Sequence, residues 1–197
     1  MAMTTIDKMK DVFCGPKSLI YSKSITDLSV STVEITPEVE LPVEVDSLKA
    51  SMADPSIDHY KVIGLAGDWA TTAELGDFNI EFVVPSKAKN LLKIMFGDDA
   101  VGEITKLTLK ETGDTTLDAA AGFAGVALEP KKFKVKGTIV IGEDEKDTLM
   151  VITNIALYAT LLWDDTGSKP VAFKFAGSIE GAGKKSIAWL SKASASV

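Results

Sequence analysis

Three carboxylates, Asp68, Glu74 and Asp77, fall within ten residues in the stretch GDWATTAELGDFNIEFVVP (67–85). Paired carboxylates can divide acid–base work between a protonated and an ionised group, and clustered ones can hold a cation. His59 is the only histidine and Cys14 the only cysteine. A thiol beside an imidazole would make a nucleophile and its base. Such dyads carry an orienting third group, and no local context supplies one here. One histidine and one cysteine also fall short of a four-ligand zinc site. Asp and Glu together number 28 among 197 residues, so three in a short stretch arise readily without chemistry. The stretch reads as a joint: a loop anchored by Trp69, a packing residue, that feeds a structural strand. No catalytic, cofactor-binding or metal-binding residue is expected.

Two other segments invite a chemical reading and lose it. GSIEGAGKKS (177–186) has Gly183 before Lys184, but Ser178 stands where a phosphate loop needs its first glycine, and Lys185 follows instead of Ser or Thr. Its glycines suit a strand end and a turn. The acidic link at Glu143, Asp144, Glu145 and Asp147 lacks the alternating ligands, central glycine and closing glutamate of a calcium loop. It reads as a solvated turn.

Charge excludes more. The net charge is −7, and every basic residue is a lysine; the chain has no arginine and no glutamine. Bidentate contacts to phosphate or guanine are therefore unavailable, which argues against a sequence-specific nucleic-acid reader or a phosphoryl-transfer enzyme. A lone cysteine cannot form an intrachain disulfide. No apolar run has the length of a membrane span or the form of a signal-peptide core, so a soluble protein without a membrane anchor is expected.

The elements that must position these residues are mostly strands. Val39, Leu41, Val43 and Val45 alternate with Glu40, Pro42, Glu44 and Asp46, predicting a half-buried strand with an acidic outer face. Pro42 places that strand at an edge or at an irregularity. Phe78, Ile80, Phe82 and Val84 alternate with Asp77, Asn79, Glu81 and Val83. Further alternating runs follow at 133–141, 149–157 and 171–179, linked by GEDEKDT (142–148) and WDDTGSKP (163–170), both hairpin-like in content. One helix is predicted at about 86–96, capped by Ser86 and closed by Gly97. The alanine-rich TTLDAAAGFAGVA (115–127), broken by two glycines, reads as a flexible or partly helical loop. The expected fold is mainly β, an antiparallel sandwich or barrel with one flanking helix and extended loops or arms. No repeat or long linker divides it, so residues 1–197 form a single domain, with 1–25 as an N-terminal arm.

The order of these features resembles the major tail tube proteins of long-tailed bacteriophages. The similarity lies in the approach Glu74-Leu75-Gly76-Asp77 to an alternating strand, the helix directly after it, and the closing strand FKFAGSIE (173–180). The resemblance implies a β-sandwich with a flanking helix, whose hairpins join around a sixfold ring and whose rings stack into a tube. Its partners would be further copies of itself and other tail proteins, and DNA would pass through without specific binding. The chain would be made in the host cytoplasm and reside in the virion tail. The tube's acidic wall would take its lumen-facing charges from Glu40, Glu44 and Asp46. GEDEKDT is short for an inter-ring loop, which leaves 111–130 as the candidate for stacking contacts. The alternatives are a monomeric or dimeric β-sandwich binding module, a tail terminator or a decoration protein; an enzyme using Asp68 or Asp77 with His59 is a third class.

Overall fold

The computed structural model describes residues 13, 15–64, 66–108, 122–143, 148–163, 169–181 and 185–192. In chain order its elements are β1 (Pro16–Ser22), β2 (Val39–Glu40), β3 (Lys49–Met52), β4 (Ser56–Lys61), β5 (Asp68–Glu74), β6 (Phe78–Val84), α1 (Lys89–Phe96), β7 (Val101–Leu107), β8 (Phe123–Leu128), β9 (Lys134–Glu143), β10 (Thr148–Leu162), β11 (Ala172–Ile179) and β12 (Ile187–Ser191). The architecture is mainly β and antiparallel, with one α-helix among the described residues, as the alternating runs predict. No described helix is long and apolar enough to cross a membrane. The chain groups into two compact units: Met1–Leu41 with Gly137–Ile155 and Glu180–Val197, and Pro42–Lys136 with Ala156–Ile179. Neither is contiguous, so no single boundary along the sequence could mark them.

In the first unit the strand order is β2-β1-β9-β10-β12. β1 runs from Leu19 opposite Ile141 to Ser22 opposite Thr138, and Val39 and Glu40 pair on its other edge. Part of the expected arm is thus a sheet strand with Leu19 and Tyr21 in the core; residues 1–12 and 14, Cys14 included, lie outside the described residues. Alternation fails where burial is two-sided: Ile139, Val140 and Ile141 are all buried, as are Met150, Val151 and Ile152. Glu143, read as part of a solvated turn, ends β9 as a buried carboxylate that accepts a hydrogen bond from the Thr148 hydroxyl; 144–147 lie outside the described residues.

A buried hydroxyl chain fastens this unit. Thr138 Oγ1 donates to the Ser24 carbonyl at 2.6 Å, and the Thr138 and Thr153 hydroxyls stand 2.8 Å apart. With its own proton committed, Thr138 accepts from Thr153, which in turn accepts the Thr26 N–H at 3.0 Å. Thr153→Val keeps the shape but leaves that N–H and the Thr138 lone pair without partners. A loss of about 1–3 kcal/mol is expected, read as a lower urea midpoint at unchanged slope, with Thr153→Ser recovering most of it.

Tyr21 gives the same unit an alkaline limit. Burial, helped by the Glu38 carboxylate, pushes its phenol up to about 12. Because the folded value lies above that of a free tyrosine, the associated stability is complete below about pH 10 and is lost as pH rises through about 12. A tyrosinate absorbance titration should show a transition near that value, absent in Tyr21→Phe.

In the second unit β6 lies between β11 and β3, with Phe175 opposite Phe82 and Ala50 opposite Ile80. The alternation read in β6 holds: Ile80, Phe82 and Val84 are buried. α1 lays Leu91, Leu92, Met95 and Phe96 inward, and Phe96 stacks on Phe133 at 4.4 Å between ring centres and on Phe175 at 5.8 Å. The helix starts later than predicted. Ala88 holds the N-cap position without a side-chain bond, while Ser86 Oγ accepts the Ala88 N–H at 3.2 Å, shaping the turn before the helix. Gly97 closes it at φ 81°, returning its N–H to the Lys93 carbonyl at 2.9 Å. The alanine-rich stretch is corrected in part: Phe123–Leu128 is a strand, β8, paired with β7, and 109–121 lie outside the described residues. Its glycines cost a helix more than a strand edge here, because β7 supplies a ladder that no local pattern announces.

Candidate functional site

The strand predicted over 39–46 ends almost as it begins. After Glu40 the Leu41 N–H still reaches the Leu19 carbonyl at 2.8 Å, and then Pro42 has no N–H to give. Beyond it the Glu44 N–H bonds the Val83 carbonyl at 2.8 Å, and Asp46 turns at φ 64°. Ser47 secures the turn, donating to the Glu44 carbonyl at 2.7 Å and accepting the Val83 N–H at 3.1 Å. The irregularity expected at Pro42 is present, but Glu40, Glu44 and Asp46 do not share one strand face. Glu40 and Asp46 are exposed; Glu44 is half-buried and pairs with Lys169 at 3.5 Å.

The ribbon that starts at β3 and β6 is the more informative feature. Pairing runs from Lys49 opposite Glu81 to Met52 opposite Phe78, pauses, and resumes from Ser56 opposite Glu74 to Lys61 opposite Asp68. At the pause the Ala53 N–H donates to the Asp77 carbonyl at 3.0 Å. A Cβ added at Gly76 would stand 2.0 Å from the Ala53 carbonyl oxygen, so only glycine lets the two strands close there. The stretch 67–85 therefore contains a joint, but at 75–77 and away from Trp69, where a loop anchored by that residue was expected. Its first half is instead strand β5.

β4 and β5 form a two-stranded sheet of their own, and every residue of both strands is exposed. Trp69 is the extra residue of a bulge: Tyr60 faces Ala70 and Lys61 faces Asp68. It is 68% exposed, so within one chain it packs in no core. Ile57, Tyr60, Val62 and Ile63 are exposed on the same hairpin. A lone two-stranded hairpin is marginal in water, and clustered exposed apolar side chains mark a surface that something covers.

Carboxylates on this ribbon do not converge. Asp68 and Glu74 sit at opposite ends of β5, and Asp77 lies beyond the joint. Asp68 instead meets His59, Nδ1 to Oδ2 at 2.7 Å, across the two strands. His59 therefore sits within β4, and the hairpin brings together a histidine and an acid that enzyme chemistry could use. Thr71 is its cross-strand neighbour. Among the described residues no group of three or more His, Cys, Asp and Glu side chains is placed to hold a metal. Nearer the body, Lys174 and Lys49 both reach Glu81, at 2.7 and 3.4 Å, and their hydrogen bonds, Lys174's first, hold its carboxyl below the usual range.

A groove of about 460 Å³ is lined by Glu44, Val83, Leu162, Trp163, Lys169 and Pro170, with Trp163 80% exposed. It was not read from the sequence, where Trp163 looked like the edge of a hairpin loop. The exposed hairpin was missed too. Its one signal is Val62-Ile63-Gly64-Leu65-Ala66, an apolar run where a hairpin turn is ordinarily polar.

The fold and this site define a mainly β antiparallel protein with a projecting, uncovered ribbon. No protein-family model matches the chain, and no curated protein matches it significantly.

Proposed function

We propose that this chain is a self-assembling structural subunit whose projecting ribbon is completed by further copies, and that the assembly is the tail tube of a long-tailed bacteriophage. The observation that carries the reading is the β4–β5 hairpin, exposed on both faces and paired with no third strand among the described residues. Its two edges are unlike, β4 on one side and β5 on the other. Joining the β5 edge of one copy to the β4 edge of the next is a head-to-tail contact, which closes into a ring when the rotation permits. A ring of six, stacked into a tube in the virion tail, conducts DNA during ejection. A net charge of −7 without arginine suits a conduit, because cationic contacts to phosphate would hold the DNA back. Other tail proteins would meet the ends of the stack.

Negative-stain microscopy of the purified chain over a concentration series tests this. Uniform rings or hollow tubes are the expected result. A chain that stays monomeric with and without the other tail proteins counts against it. The second reading, a binding module, is favoured by the exposed Trp163 beside its groove. It predicts a saturable ligand and loss of binding in Trp163→Ala with no polymer formed.

A further inference from the structure

We propose that the two faces of the β4–β5 hairpin have opposite fates on assembly: the face of Ile57, His59, Thr71 and Ala73 is buried against a neighbouring copy, and the face of Asp58 and Glu74 stays in water and lines the bore. This rests on the ring reading above. The cross-strand register separates the faces. Ile57 stands opposite Ala73 and His59 opposite Thr71, while Ser56 stands opposite Glu74, Asp58 opposite Thr72 and Tyr60 opposite Ala70. Side chains alternate along a strand, so these sets point in opposite directions. The His59–Asp68 contact at 2.7 Å places Asp68 on the first face, where Lys61 is its direct cross-strand neighbour.

Charge then decides which face can leave water. On the first face the one carboxylate, Asp68, already has His59 and faces Lys61, so burial strands no lone ion there. On the second face Asp58 and Glu74 make no ion pair among the described residues and accept no side-chain hydrogen bond there. Burying an unpaired carboxylate is strongly unfavourable, whereas burying Ile57 and Ala73 is favourable. With the strand edges taken up by neighbouring copies, only the two faces remain. The face whose one carboxylate is already partnered goes to protein, and the face with two unpartnered carboxylates, which also carries Tyr60 and Ala70, goes to the water of the bore. Two like charges per copy, repeated around a ring, repel a polyanion over about 8 Å at physiological salt. This assigns the acidic wall to Asp58 and Glu74, in place of Glu40, Glu44 and Asp46.

Thr71 and Thr72 make the test, because they are adjacent on β5, point to opposite faces, and are both exposed in the single chain. In a Cys14→Ser background, Thr71→Cys and Thr72→Cys are treated with N-ethylmaleimide before and after tube formation. The unassembled chains should react at similar rates. In tubes Thr71→Cys should slow by about tenfold or more, while Thr72→Cys stays within about threefold of its free rate. The reverse pattern, or equal protection of both, overturns the assignment while leaving the tube reading intact. Charge variants guard against a cysteine that disturbs assembly. Asp58→Asn with Glu74→Gln should still form tubes and Ile57→Asp should not; the opposite result overturns the assignment. If the Cys14→Ser chain never forms rings or tubes, the ring reading falls and takes this inference with it.

Discussion

Trp69→Ser should leave the single chain as stable as before and sharply raise the concentration it needs to assemble. Trp69 is 68% exposed, at a bulge on a hairpin that touches no core, so its loss should change unfolding free energy by no more than about 0.5 kcal/mol. In the proposed assembly the same side chain would be covered by a neighbouring copy. Tryptophans at the centre of protein interfaces typically contribute about 2–4 kcal/mol when truncated. Each 1.4 kcal/mol is a factor of ten, so the concentration at which rings appear should rise roughly 30- to 700-fold. Sedimentation velocity across a concentration series reads the threshold, and urea unfolding of the unassembled chain reads the stability. Trp69→Phe should restore most of the assembly, since it keeps the ring and much of its area. An unchanged threshold in Trp69→Ser would show that the bulge lies outside the interface. A destabilised single chain would show that Trp69 packs at home.

Phe96→Ala should have the opposite profile, with a loss of about 3–5 kcal/mol in the single chain. Phe96 is the last residue of α1 and the hub of an aromatic cluster, with ring centres 4.4 Å from Phe133, 5.6 Å from Phe173 and 5.8 Å from Phe175. Removing the ring takes away its burial and leaves a cavity that Phe133 and Phe175, held in strands and a turn, cannot collapse to fill. A helix of eight residues is too short to persist alone, so α1 depends on this docking. Against a total stability of 5–15 kcal/mol for a typical domain, roughly a third could go with one side chain. Phe96→Leu keeps an apolar filler and should cost less than half as much. The check is a urea midpoint with the slope compared between variants, because a changed slope would mean that α1 had already detached in the native state. Assembly should weaken in Phe96→Ala only in step with the fraction unfolded. That sets it apart from Trp69→Ser.

How much of this was legible depends on what each residue's neighbours are. β6 could be read residue by residue, because Ile80, Phe82 and Val84 face a core and Asn79 and Glu81 do not; a one-sided environment writes period two into the sequence. α1 was legible for the same reason at period 3.6, with its closing Gly97, although its start was misplaced by three residues. Ser86 and Ala88 are both consistent with a helix entrance, and the choice turned on the path of the preceding chain. The centre of β9 gave the right element and the wrong exposure: Val140 alternates with Ile139 and Ile141, yet all three are buried, since strands and side chains far along the chain cover both sides. Over 39–46 the alternation predicted one acidic face that does not exist, because pairing with β1 stops at Glu40 and Pro42 cannot carry the ladder on.

The hairpin shows the limit most clearly. Asp58, His59, Tyr60 and Trp69 are ordinary residues in the sequence, and nothing in their order says that β4 and β5 stand away from the rest of their unit. By itself, the sequence determined the antiparallel β class, the helix before Gly97 and the irregularity at Pro42, all of which follow from backbone chemistry and local periodicity. Only the tertiary structure decided which apolar side chains are covered, that His59 meets Asp68, and that Trp69 is left facing water, because burial depends on contacts between residues far apart in the chain.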